Sequence, residues 1–312
     1  SFESEHCNPY SRVTPDVDSL WTRWLRRGIP IPTHRPTFDI EHIDRIAKSE
    51  RANIRLNSIA QIEALKAMPP LLINGQAGAG KTTVLAHRMA WSVIQHREHR
   101  GSDSRILYIS YSEALTRQAG EDVRRIIETI HDKKPQIYLA NMHFKTMHEL
   151  LRGDAGGHAK NSQMGFGQFK TWYQQKRAKD HRSRSIPAER AWYAIRLLKG
   201  KTASSTRFRK GKEGKEHFLE RMNSVAELRR WSESDQEYMF NIILDYQKKL
   251  ADEKKWDDID LARAALKRVD NGEKYDEIFC DEAQDFTQIE LAYLKQKCST
   301  NPLWPTKANS CL

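Results

Sequence analysis

Cysteine is scarce and scattered. The four, Cys7, Cys280, Cys298 and Cys311, form no C-x-x-C pair, which leaves out a zinc knuckle and a dense disulfide framework. No stretch reaches the ~18 consecutive apolar residues of a membrane-spanning helix. The first residues, Ser1, Glu3, Glu5 and His6 among them, lack the apolar run of a secretory signal. Internal repeats of roughly 20 to 50 residues are missing, and the one biased tract is a Lys/Gly/Arg-rich turn over 207–215. Solenoids, disulfide-stapled secreted domains and helical membrane proteins are therefore not expected. The reading expects an intracellular protein, of cytoplasm or nucleus.

What is present is a folded chain of 312 residues, 30 % charged and 38 % apolar, long enough for one large or two smaller domains at ~150 residues each. The net charge of +11 is not spread evenly: from Arg152 to Arg221 there are 18 Lys/Arg against 6 Asp/Glu. That segment also carries Phe166, Phe169, Trp172, Tyr173, Trp192, Tyr193, Phe208 and Phe218. Basic residues interleaved with aromatics combine phosphate attraction with base stacking. The same aromatics at helical spacing serve equally as the core of a solvated helical subdomain.

Along the chain, Pro9, Pro15, Pro30, Pro32 and Pro36 surround a small apolar knot at Trp21, Trp24 and Leu25, which reads as a partly irregular lead-in over 1–38. Helical spacing between Asp39 and Met68 suggests two helices, parted near Asn53–Asn57. Short apolar runs at Leu71–Asn74, Ile106–Ile109, Gln136–Asn141 and Glu277–Cys280 read as strands, with helices over Lys81–His96 and Glu113–Ile130 between them. Alternating strands and helices predict an α/β fold with a parallel sheet. Between His148 and Tyr275 the strand signal vanishes, and helices are expected near Gln168–Lys179, Ala188–Lys199, Glu216–Trp231 and Asp235–Glu253.

Gly75-Gln76-Ala77-Gly78-Ala79-Gly80-Lys81-Thr82 satisfies G-x-x-x-x-G-K-[ST] at every fixed position. Glycines let backbone N–H groups curl around an anion, and the following helix offers its positive end. Lys81 can reach the outer phosphates of a nucleotide and the Thr82 hydroxyl can bind Mg²⁺. Ile278-Phe279-Cys280-Asp281-Glu282 is an apolar run ending in two carboxylates. Beside a phosphate loop, Asp281 suits Mg²⁺ and Glu282 suits the water that attacks a γ-phosphate; alone, the pair would be an ordinary surface feature.

Gly75–Thr83 together with Asp281-Glu282-Ala283-Gln284-Asp285 resembles motifs I and II of the UvrD/Rep-like superfamily I helicases, whose second motif reads D-E-x-Q-D. Gln61, 20 residues before Lys81, resembles the glutamine that reads adenine there; otherwise it is a solvated helix residue. Ile109-Ser110-Tyr111-Ser112 is similar to the motif whose aromatic contacts single-stranded nucleic acid, and Thr146-Met147-His148 to a later T-x-H motif facing the same track. Without the resemblance, Tyr111 reads as a core aromatic and His148 as a hydrogen-bonded structural histidine. Trp256-Asp257-Asp258-Ile259-Asp260 is similar to a D-D motif found shortly before motif II.

The resemblance implies a RecA-like P-loop ATP-binding domain over 39–150 and 257–298, a basic all-helical insertion over 151–256, and an irregular end over 299–312. It further implies ATP and Mg²⁺ as ligands, with Lys81, Thr82, Asp281, Glu282 and Gln284 as the reacting set. Gln61 and Gly75–Thr83 would surround the nucleotide, with Tyr111, Thr146 and His148 on single-stranded DNA or RNA. It implies an N-terminal portion of a longer helicase, because no Gly-Asp-x-x-Gln or arginine-finger motif of a second RecA-like domain follows Asp285. Such a chain would bind ATP and hydrolyse it poorly alone. The competing reading is a stand-alone P-loop module that binds nucleic acid or an acidic partner without unwinding.

Overall fold

Ile106–Ser110 is buried at every position, the mark of a strand paired on both edges and covered on both faces. This strand, β1, is the middle of a three-stranded parallel sheet in which β2 (Met142–Thr146) and β3 (Glu277–Cys280) flank it. The register sets Ser110 beside Thr146 and Ile109 beside Cys280. All three strands therefore end at one side of the sheet, where parallel sheets bind ligands. The computed structural model describes residues 56, 58–67, 71–76, 78–100, 104–130, 136–156, 163–179, 186–201 and 207–299. The lead-in over 1–38, the first of the two helices between Asp39 and Met68, Ala77 and residues 300–312 lie outside them.

The chain divides into two compact units, one holding Ser162–Ile259 and the other the stretches to Asn161 and from Asp260. The sheet unit contains α1 (Ile59–Lys66), α2 (Lys81–Arg100), α3 (Glu113–Ile130), a single turn α4 (Gln136–Leu139) and α5 (Met147–Asp154). From α2, Met89, Ala90 and Ile94 pack with Val123, Ile126 and Ile127 of α3 on the sheet face that carries Ile106 and Tyr108. In the same unit Lys297 is 1 % exposed, paired to Asp154 at 2.5 Å, and it donates to the Glu273 carbonyl at 2.7 Å. Cys280 is a free thiol and Cys298 is disulfide-bonded, a single bridge that the cysteine spacing gave no sign of.

Two strand expectations are corrected. Leu71–Asn74 has no strand structure and joins none of the three strands. Gln136–Leu139 is helical, and the strand begins only at Met142. Both stretches are short apolar runs whose pattern cannot separate strand from turn. The true β2, Met-His-Phe-Lys-Thr, hides its apolar character behind two basic residues.

The helical unit packs α6 (Phe166–Lys179), α7 (Ala188–Lys199), α8 (Lys212–Asn223) and α9 (Glu233–Asp252) around one core. Phe169, Tyr173 and Phe218 are fully buried there, with Phe208 nearly so, and Trp172 and Trp192 are packed against them. Phe169 stacks on Tyr173 at 5.5 Å and meets Tyr246 edge-on at 5.4 Å. Phe169, Tyr173, Phe208 and Phe218 are buried core, which corrects the stacking alternative for them, while Phe166, Trp172 and Trp192 are partly buried against that core and Tyr193 is exposed. Where the chain comes into and leaves this unit, Met164 N–H donates to the Trp256 carbonyl at 2.7 Å. Buried Lys199 pairs with Asp257 at 2.5 Å and Arg196 with Asp258 at 3.4 Å. The D-D motif thus holds α7, as buried cations require a counter-charge. The helix that starts at Asp258, α10 (Asp258–Arg268), was not expected from the sequence.

Candidate functional site

Residues 75–80 bridge the coil after α1 and the first turn of α2. Gly78 and Gly80 adopt φ of +79° and +77°, a region open to glycine and strained for other residues. At Gly80 the space is also closed, since a Cβ would run into Nε2 of Gln61. The loop folds on itself through Ala79 N–H to the Gln76 carbonyl at 3.2 Å. Lys81 Nζ lies over it, donating to the carbonyls of Gly75 at 3.0 Å and Gln76 at 3.1 Å. A cation, curled backbone and the N-terminus of a 20-residue helix converge on one spot.

Asp281 follows the last residue of β3. Its N–H still donates to the Ile109 carbonyl at 2.9 Å, extending the β1–β3 pairing by one bond. That bond holds the side chain, 2 % exposed, at the strand end opposite the first turn of α2. Thr82 Oγ1 donates to Asp281 Oδ2 at 2.8 Å, Tyr108 OH donates to the same oxygen at 2.8 Å, and the Glu282 N–H donates to Oδ1 at 3.0 Å. Thr82 Oγ1 and the Asp281 carboxylate are hard oxygen donors side by side, the kind of set Mg²⁺ accepts when it takes one or two protein groups and completes its shell with phosphate and water. Among the described residues no three His, Cys, Asp or Glu side chains gather as an all-protein metal cage.

Glu282 takes a left-handed conformation, φ 51° and ψ 44°, at a cost of about 1–2 kcal/mol for a side chain of this kind. The Gln284 amide donates to its carboxylate, whereas the Asp281 carboxylate is held by Thr82 and Tyr108. Thr83, next along α2, is half-buried.

Gln61 sits at the third position of α1, its Oε1 accepting from Ser58 N–H at 3.2 Å in a capping box. Its Nε2 donates to the Ala79 carbonyl at 2.9 Å. One amide thus ties the start of α1 to the phosphate loop. The other end of α1 is tied to α2: Arg88 donates to the carbonyls of Ala64, Leu65 and Ala67 at 3.1, 2.9 and 2.6 Å. Burial lowers the pKa of Arg88, partly offset by the charge of Glu277.

Thr146 is the last residue of β2, beside Ser110 at the end of β1, and Tyr111 and His148 follow these strand ends closely in sequence. Tyr111 OH donates to Glu290 at 2.5 Å, and its ring meets Phe286 edge-on at 5.0 Å. Thr146 caps α5, exchanging bonds with Glu149. The hydrogen bonds from Thr146 hold the Glu149 carboxyl below its usual range. His148, the second residue of α5, is half-buried. The sequence placed these residues on one edge but gave no sign of their partners.

Sequence reasoning missed Tyr108 and Glu277. Burial first, and then the neighbouring Asp281 carboxylate, push the Tyr108 phenol far up, so it remains a donor. Glu277, at the start of β3, accepts from Ser92 Oγ at 2.7 Å and lies 3.1 Å from His96 Nε2. Burial alone would raise its pKa; bonds from His96 and Ser92 and the charge of Arg88 hold it below its ordinary value. The one signal available was a polar group inside an otherwise apolar strand, which must find a partner.

The family model described as UvrD/REP helicase N-terminal domain matches residues 56–303. No curated protein matches the chain.

Proposed function

The chain belongs to the UvrD/REP helicase N-terminal domain family, a family of ATP-dependent helicases, and on that premise we propose that it is the ATP-binding half of a motor acting on single-stranded DNA or RNA. In the full-length protein, ATP hydrolysis would be coupled to strand movement. Gly75, Gln76, Ala77, Gly78, Ala79, Gly80 and Thr83 surround the phosphates and Lys81 neutralises the β/γ oxygens. Thr82 and Asp281 hold Mg²⁺, which when bound offsets charge on the phosphate oxygens. Glu282 accepts the proton of the attacking water. Gln284 holds the Glu282 carboxylate and senses the γ-phosphate. Gln61 exchanges the Ala79 carbonyl for adenine. Tyr111, Thr146 and His148 face the strand.

The observation that carries this reading is the 2.8 Å bond between Thr82 and Asp281, residues 199 positions apart in sequence. It joins the phosphate loop to the acidic strand end, which supports a role for both at one metal-bound phosphate. An arginine finger from a second domain contributes on the order of 10³–10⁵ in rate, so this chain alone should bind ATP and turn it over slowly. Single-turnover hydrolysis with protein in excess tests the assignment. Glu282→Gln should bind ATP as the wild type does and hydrolyse it at least about 10²-fold more slowly. Equal rates would remove Glu282 from the reaction.

A further inference from the structure

β1 reads Ile-Leu-Tyr-Ile-Ser, and Tyr108 is the one large side chain in it with a polar tip. The residue is fully buried, its ring 6.0 Å from that of Phe144. Its hydroxyl donates to Asp281 Oδ2 at 2.8 Å, the oxygen that also accepts from Thr82 Oγ1. With the Glu282 N–H on Oδ1, donors from three segments of the chain fix both oxygens of one carboxylate. The χ2 torsion of an aspartate is intrinsically broad, so its rotation is set by these donors. Two of them, Thr82 and Glu282, sit on the loop and turn where the nucleotide would bind. Tyr108 alone belongs to the sheet interior.

We propose that Tyr108 is a positioning residue for the metal site, its hydroxyl locking the Asp281 carboxylate so that the lone pairs left over face Thr82 and the Mg²⁺ of a bound nucleotide. The proposal rests on the nucleotide reading above and adds to it a residue that touches neither nucleotide nor metal. Removing the hydroxyl frees the carboxylate to rotate and leaves Oδ2 of buried Asp281 one donor short. The phosphate cradle of Gly75–Lys81 is untouched by that change. The loss should therefore appear in Mg²⁺ dependence and not in metal-free nucleotide binding.

The test is the affinity of a fluorescent ADP analogue for wild type and Tyr108→Phe, in EDTA and across a Mg²⁺ titration. The expected result is equal affinity in EDTA and a Mg²⁺ half-saturation raised on the order of tenfold in the variant, the effect of one hydrogen bond to a charged group. An unchanged or lower half-saturation, with clear Mg²⁺ dependence in the wild type, overturns the role of Tyr108 and leaves the nucleotide reading standing. Absence of nucleotide binding by the wild type overturns both. A second readout requires no deletion: 3-fluorotyrosine placed at position 108 alone keeps the hydroxyl, and its fluorine-19 resonance should move when Mg²⁺ is added to the ADP complex. A resonance that stays in place contradicts the proposal.

Discussion

Glu277 and Asp281 stand at the two ends of β3, and both are met by side chains from α2. Asp281 takes Thr82 from the first turn of that helix, while Glu277 takes Ser92 and His96 from its later turns. The Glu277 carboxyl is partly buried and, against that burial, the bonds from His96 and Ser92 hold its pKa below the ordinary value, so the folded state prefers the ionised form. The stability this contributes is present above the unfolded value and is lost as pH falls through the folded one. Glu277→Gln should lower unfolding free energy by about 1–3 kcal/mol at neutral pH. The gap between the two proteins should close below pH 4.5. Denaturant unfolding across that range checks it, and a gap independent of pH would show that shape, not charge, is what Glu277 supplies.

At the scale of elements, α1 is held at its start by the phosphate loop and at its end by the helix that follows that loop. Gln61 reaches Ala79, and Arg88, about two turns into α2, reaches three carbonyls at the end of α1. The last carbonyls of a helix have no partners of their own, and a guanidinium fork can satisfy several. Arg88→Met keeps much of the length of the side chain and removes the fork. It should cost about 1–3 kcal/mol of stability and weaken adenine nucleotides more than inorganic triphosphate, measured by competition against a fluorescent analogue. Equal weakening of both would mean that α1 does not report to the base.

Most of the longer helices were legible, although the one expected over Glu216–Trp231 runs over Lys212–Asn223 and α10 was missed. α3 and α7 run over the stretches that periodicity marks, Glu113–Ile130 and Ala188–Lys199, because their apolar stripes repeat over three turns or more. β2 was misplaced because four or five residues carry too little pattern to outweigh an adjacent apolar run. The loop glycines and the Asp281-Glu282 pair announce themselves, since phosphate chemistry restricts the residues that can stand there. Tyr108 does not, because a tyrosine within a buried strand reads as core. Its partner is 173 positions away, and nothing local names it. Arg88 and Lys199, the partner of Asp257, were hidden in the same way, as ordinary charges whose partners exist only after folding.

Over the whole chain, the positive charge gathered between Arg152 and Arg221 has lost most of its aromatic explanation, because Phe169, Tyr173, Phe208 and Phe218 fill the core of the helical unit. Lys199 and Arg221 are buried with those rings, while Arg207, Arg209, Lys210 and Lys212 are exposed in one short stretch. If they track a strand, the binding of single-stranded oligonucleotides should weaken steeply with salt. Replacing Arg209 and Lys210 by Ala should reduce the slope of log K against log salt by up to about 0.7 for each phosphate that is no longer neutralised. An unchanged slope would make the patch a solvated face.

The central claim is that Gly75–Thr83 and Asp281 together hold a nucleotide. Equilibrium binding of a fluorescent ATP analogue with Mg²⁺, to the wild type and to Lys81→Ala, tests it most directly. The account predicts saturable binding by the wild type and its loss in the variant, in a protein whose melting temperature is unchanged. Equal binding by the two proteins, or none by either, would contradict it.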